Sequence, residues 1–281
     1  MNQRPVVLLL AAGLVFPTAS VVGQELQTTH RLRILVTNDD GYQAPGLIAL
    51  VDSLLPIADI TVVAPLEQQS GAGHGITFLD PINIHKLGNS HDIDWYAVAA
   101  RPATVVRVAL AAILDSLPDL VVAGINTGDN VGTNAWVSGT VAGAREAALA
   151  GLPALAFSVD PYGSNPYARA AGWARQIVEQ LRDAGRFETP LLLNVNHPGE
   201  EPLGIRVAPM SLAVGTQGYD RRESPRGQEY VWDEWVAPED DPVEGTDLYW
   251  FHRGYVTITP LRIDQTDTAA IPQLEQLFKR P

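Results

Sequence analysis

From Arg33 to Leu55 the chain reads RILVTNDDGYQAPGLIALVDSLL: an apolar run, a polar loop and an amphipathic segment in immediate succession. Ile34 to Thr37 has the unbroken apolar character of a strand covered on both faces. Beyond the loop, Leu47, Leu50, Val51 and Leu54 recur at i, i+3, i+4 and i+7, so they share one face of a helix predicted over Gly46 to Leu55. A buried strand followed at once by such a helix is the opening half of a βαβ unit.

The same alternation continues along the chain. Apolar runs at Ile60 to Ala64, Trp95 to Ala99, Leu120 to Ala123, Ala154 to Ser158 and Leu191 to Val195 are predicted strands, and Ala103 to Leu114, Gly139 to Ala150 and Tyr167 to Ala184 are predicted helices. The expected fold is α/β, a doubly wound, mostly parallel sheet of Rossmann-like type with helices on both faces. In such sheets ligands bind beyond the carboxyl ends of the strands, so chemistry is to be sought in the loops leaving them. After Pro209 the pattern changes. Gly215 to Gly245 is rich in charge, Gly and Pro, with Tyr230, Trp232 and Trp235 in alternation, which predicts an extended hairpin or arm. Tyr255 to Pro260 reads as a strand and Gln273 to Phe278 as a short terminal helix.

Composition bounds the partners. The chain has 281 residues, 46% hydrophobic and 18% charged, which suits a folded domain with a sizeable core. Its 32 acidic against 19 basic residues give a net charge of -13, which repels a polyanion such as long nucleic acid. A small phosphate ester remains compatible if a cation carries the contact. There are no cysteines, so neither disulfides nor lipid attachment at a cysteine enter the account.

The first residues differ from the rest. Arg4 precedes an apolar run from Val6 to Phe16, small residues follow to Gly23, and a polar stretch opens at Gln24. A spanning helix needs roughly 20 apolar residues, so the run is short for a stable membrane span. Its order of charged, apolar and small regions is that of a signal peptide over residues 1–23, cut after Gly23 or after Ser20. On that reading 24–32 are a linker, 33–281 the folded domain, and the protein is exported. An uncleaved anchor or a mis-assigned start is the other reading.

Four loops carry candidate chemistry. The first strand runs into Asn38-Asp39-Asp40-Gly41, where adjacent carboxylates raise each other's pKa unless a cation lies between them. An oxygen-rich set of this kind suits Mg²⁺, Mn²⁺ or Ca²⁺; a plain Asx turn capping the next helix is the competing reading. Gly124-Ile125-Asn126-Thr127-Gly128 follows another apolar strand, and Asn126 offers a side-chain carbonyl if the segment is more than a turn. Ser138-Gly139-Thr140 precedes an Ala-rich helix, where Ser138 is a natural N-cap and free amides attract phosphate. Capping without a ligand reads equally well there. Gln69-Ser70-Gly71 could bring a hydroxyl to the same edge or be a flexible loop.

In combination and order these segments resemble the SurE (stationary-phase survival protein E) family of 5'/3'-nucleotidases, over roughly Arg33 to Leu261. The resemblance rests on Ile34 to Gly41 with Ala44-Pro45-Gly46, Gln69-Ser70-Gly71, Gly124 to Gly128 with Asn130, Ser138 to Val141, Asn194-Val195-Asn196, and Gly245-Thr246-Asp247 before Gly254 to Pro260. Where the family shows Gly-Thr-Pro this chain has Ala100-Arg101-Pro102, which leaves nucleotide preference open. The resemblance implies one divalent metal ion held by Asp39, Asp40, Ser70 and Asn126. It also implies a homodimer or homotetramer in which residues 215–281 reach a neighbour. The expected reaction is metal-dependent hydrolysis of nucleoside 5'- and 3'-monophosphates. In it Asp39 and Asp40 are catalytic, and Asn38, Gly41, Ser138, Gly139 and Thr140 steady the phosphate. Haloacid dehalogenase-like phosphatases place their aspartates one residue apart, whereas the adjacency here favours water as nucleophile. The rivals are a nucleotide- or phosphate-binding protein without turnover and a broad-specificity acid phosphatase or short-chain polyphosphatase. The leader places the protein in the periplasm; the family's typical members suggest the cytoplasm instead.

Overall fold

In a computed structural model the described residues are 31–88, 93–187, 191–236 and 243–279. The expected leader and most of the linker lie outside them. The first apolar run forms β1 (Leu32–Thr37) and the amphipathic segment α1 (Pro45–Leu54), with Pro45 at the start of the helix, where no amide donor is needed. There follow β2 (Ala58–Pro65), β3 (Ile84–Leu87), β4 (Asp94–Val98) and α2 (Pro102–Val108), which runs on as a wider π-helical turn over Ala109–Ile113. The central units are β5 (Leu120–Thr127), α3 (Asn134–Val137), α4 (Gly139–Leu149), β6 (Ala154–Val159), α5 (Pro166–Asp183) and β7 (Leu192–His197). The chain closes with β8 (Ile205–Val207), β9 (Thr216–Glu223), β10 (Glu229–Val236), α6 (Asp247–Phe251), β11 (Val256–Pro260) and α7 (Ile271–Phe278).

Among the described residues one sheet of nine strands has the order β3-β4-β2-β1-β5-β6-β7-β11-β8. From β4 to β7 every pairing is parallel; β3 and β11 run antiparallel at the two flanks. The doubly wound reading therefore holds, and the arm is a separate antiparallel hairpin of β9 and β10. Alternation along β1 divides the core. Ile34 and Val36 pack toward α1 and α5 with Leu47, Leu50, Ala174 and Ile177, while Leu35 packs toward α2 and α4 with Val105, Val141 and Ala144. Each fully buried Leu or Ile in these layers contributes about 1.5–3 kcal/mol.

Several strands outrun their expected ends, most at β5 and β7. β5 continues to Thr127 and β7 to His197, so polar side chains are carried into the sheet's carboxyl edge. His197 is buried, its Nδ1 accepts from the Gly199 amide at 3.0 Å, and its Nε2 has no partner among the described residues. Burial, and secondarily the charge of Arg169, pushes its pKa down to about 4. A depressed folded-state value means that the unfolded chain takes the proton first. Stability is therefore full above the ordinary histidine value, near 6.5, and is lost as pH falls from there toward 4. Urea midpoints measured across that window should fall more steeply for the parent than for His197→Gln.

Candidate active site

β1 pairs with β2 on one side and with β5 on the other, so the strand order reverses direction at β1. Crevices at such a switch point are where open α/β sheets bind ligands. Asn38, Asp39 and Asp40 leave the end of β1 there, and Asn126 stands at the end of β5 beside it.

Asp39 is only 2% exposed. Its carboxylate accepts from the Thr140 hydroxyl, and Gly139 lies so close that an added Cβ would fall 2.7 Å from Asp39 Oδ2 and 2.8 Å from Asp39 Cβ. The first turn of α4 is thus seated on this carboxylate. Burial pushes the Asp39 pKa up to about 6, against the opposing Thr140 bond, and the charge of Asp40 adds to the rise. Asp40 is also raised by burial, while its Oδ2 accepts from the Thr127 amide at 2.9 Å. Among the described residues neither carboxylate has a Lys or Arg partner.

The other candidates take up definite positions. Asn38 is fully buried; its Nδ2 donates to Gly41 O at 2.8 Å, closing the loop, and its Oδ1 has no partner. Asn126 Nδ2 donates to Gly128 O at 2.7 Å, which holds the amide plane and leaves the carbonyl oxygen uncommitted. Ser138 caps α4 by accepting from the Val141 amide at 3.1 Å. The Thr140 hydroxyl proton is therefore committed to Asp39, whereas the Ser138 hydroxyl keeps its proton and Asn38 Nδ2 keeps a second N–H. Ser70 is exposed and takes a 3.2 Å bond from Gln68 Nε2. Its neighbour Gln69 ties the loop to the site, the Gln69 amide donating to Asp39 O at 2.7 Å.

Several contributors carry no legible sequence signal. The Thr127 and Gln69 amides are backbone groups, which any residue supplies. Glu146 had a signal: it is the one acid inside the Ala-rich α4. It is buried, accepts from Arg107 Nε at 2.6 Å and meets His74 Nε2 at 2.8 Å, fastening the loop after β2 to α4 and α2. The Gly73 amide adds a 2.9 Å bond to Val137 O. Truncation by Glu146→Ala strands Arg107 and His74, and a stability loss of about 1–3 kcal/mol is expected by urea unfolding.

Among the described residues no group of three or more His, Asp or Glu side chains gathers. The switch point offers instead two carboxylates and an amide carbonyl, all oxygen donors, with the exposed Ser70 hydroxyl on the adjoining loop that the Gln69 amide ties to Asp39. That set fits a hard divalent cation, and the uncompensated burial of Asp39 beside Asp40 is the cost which such an ion removes. A larger cavity of about 750 Å³ around Arg31, Asp59 and Lys86 lies at the opposite end of the strands and holds none of these side chains.

Residues 34–217 match the family model described as Survival protein SurE. The 5'-nucleotidase SurE of Desulfitobacterium hafniense is 39% identical over 253 residues, covering 87% of this chain and 96% of that relative. That of Variovorax paradoxus is 39% identical over 257 residues, covering 89% and 99% respectively. The crystal structure of the SurE protein from Aquifex aeolicus superposes with a TM-score of 0.74 at 31% identity, covering 87% of this chain and 99% of that one. With its sheet order, its switch-point loops and these relatives in agreement over nearly the whole described chain, the protein belongs to the SurE family.

Proposed function

We propose that the protein is a phosphoric monoester hydrolase that releases phosphate from nucleoside 5'- and 3'-monophosphates with the help of one divalent ion, Mg²⁺, Mn²⁺ or Ca²⁺. One observation carries this reading: Asp39 and Asp40 stand together at the switch point, one of them almost fully buried, without a basic partner among the described residues. The relatives named 5'-nucleotidase give the substrate class.

Asp39, Asp40, Asn126 and Ser70 would hold the ion, which would supply charge neutralisation at the phosphoryl group and a more acidic water. Thr127 orients Asp40 through its amide, and Thr140 orients Asp39 through its hydroxyl. Asp39, whose carboxylate lines the same site, would accept the proton of the attacking water. Phosphate is steadied by the main chain at Gly41, Ser138 and Gly139, where the first turn of α4 favours negative charge, while Thr140 serves Asp39 through both its amide and its hydroxyl. Asn38 keeps that loop closed.

The polypeptide is exported to the periplasm on the strength of its leader, with 33–281 as one folded domain. Its hairpin and α7 pack against further copies in a dimer or tetramer. Exposed Tyr219 and Trp232 on the hairpin and Leu277 and Phe278 on α7 support that packing. Phosphate release from a panel of mononucleotides, with EDTA and then with Mn²⁺ restored, tests the activity. Chelator-sensitive release is expected; tight nucleotide binding with no release under any condition would make the protein a binder instead.

A further inference from the structure

Beside the switch point lies a second cavity. About 290 Å³ in volume, it opens at the carboxyl ends of β2 and β4 and is walled by Leu66, Ala99 and Ala100 together with Glu67, Gln69 and Arg101. Gln69 belongs to both places, since its amide binds Asp39 O at 2.7 Å. A ligand whose phosphate sits at Asp39 and Asp40 can therefore place its next group here. At the lower end of ligand-pocket volumes, roughly 300 Å³ and upward, the cavity suits one ring system rather than a whole nucleotide.

Its charges are unusual. Among the described residues the Arg101 guanidinium and the Glu67 carboxylate have no ion-pair or hydrogen-bond partner, and they do not pair with each other although they line one cavity. Arg101 is held by its own backbone, whose amide donates to Thr77 Oγ1 at 3.1 Å, and Thr77 is held in turn by Thr104. The guanidinium lies over Gly75, where a Cβ would come within 2.3 Å of its Nη1. A fork of donors packed over Gly75 and a separate acceptor thus line a cavity whose other walls are Leu66, Ala99 and Ala100 with Gln69 and Thr77.

We propose that this cavity is a base-recognition pocket selecting guanine; the proposal rests on the nucleotidase reading above and adds the substrate's base to it. Guanine carries two acceptors, O6 and N7, along one edge, which an arginine fork meets in a bidentate manner. Its N1–H and N2–H₂ groups are donors on the adjoining edge, which a carboxylate accepts. Adenine places an amino donor where guanine has O6, opposite the guanidinium, and leaves both protein charges unmatched. The apolar residues cover the ring faces.

The test is kcat/KM for GMP and AMP in the parent, Arg101→Ala, Arg101→Lys and Glu67→Gln, with melting temperatures confirming that each variant is folded. The parent is expected to favour GMP by about tenfold or more. Arg101→Ala and Glu67→Gln bring the ratio toward one, and Arg101→Lys loses most of it because a point charge lacks the fork. Equal parental rates for GMP and AMP, or a loss in Arg101→Ala that is the same for both, overturns the proposal. If no mononucleotide is hydrolysed, the activity reading fails by itself. Equilibrium binding of GMP and AMP then decides the base pocket, with equal affinities counting against it.

Discussion

Replacing both switch-point carboxylates, by Asp39→Asn with Asp40→Asn, is expected to lower phosphate release from 5'-mononucleotides by a factor on the order of 10³ while making the metal-free protein more stable. The first effect follows from removing the charges that hold the ion and take the proton, since loss of even one preorganised electrostatic contact costs ~10²–10³ in rate. The second follows from burial. Raising the Asp39 pKa from 3.8 to about 6 means that its ionised form costs the fold about 3 kcal/mol above that pH. The sign is fixed by which state holds the proton. As pH falls from 6 toward 3.8 the folded protein protonates Asp39 before the unfolded chain does, so the penalty fades. The gain in Asp39→Asn is therefore largest above pH 6 and absent near pH 3.8 and below. Urea unfolding in chelator across that range, beside initial rates with Mn²⁺, measures both. A variant that is inactive but less stable at neutral pH would mean that Asp39 is chiefly structural.

Gly139→Ala is the second large effect. The added methyl would sit 2.7 Å from Asp39 Oδ2 and 2.8 Å from Asp39 Cβ, and the latter atom is too near the backbone to swing aside. Either α4 withdraws from the end of β1 or the carboxylate turns out of place. Overpacking of this kind costs about 1–3 kcal/mol, and a displacement near 1 Å at a reacting centre costs roughly 10²-fold in rate. The expected outcome is a folded protein with kcat reduced about a hundredfold. Thr140→Ser, which keeps the hydroxyl that donates to Asp39, should retain most of the rate. Parental kcat in Gly139→Ala would show that the seat of α4 on Asp39 has no part in the reaction.

The layered architecture was legible because each central strand is an apolar run and each covering helix shows a 3.6-residue period, as at Leu47 to Leu54. What escaped has physical reasons. The sequence predicts a strand ending at Ala123 because Gly124 reads as a turn; β5 instead carries a register irregularity between Ala123 and Asn126 and resumes. β3, Ile84 to Leu87, is a short exposed edge strand without alternation. At the site the acidic pair and the Ser138 cap could be read directly. The commitment of the Thr140 hydroxyl to Asp39 could not, because it joins groups 101 residues apart and depends on how α4 meets β1.

The central claim is that the buried carboxylate at the end of β1 is tolerated because, with its neighbour, it holds a doubly charged ion. Isothermal titration of Mn²⁺ into chelator-stripped protein tests it most directly, with no substrate involved. The account predicts uptake of one ion per chain by the parent and none by the Asp39→Asn, Asp40→Asn variant. Absence of binding to the folded parent, or equal uptake by the two proteins, would contradict it.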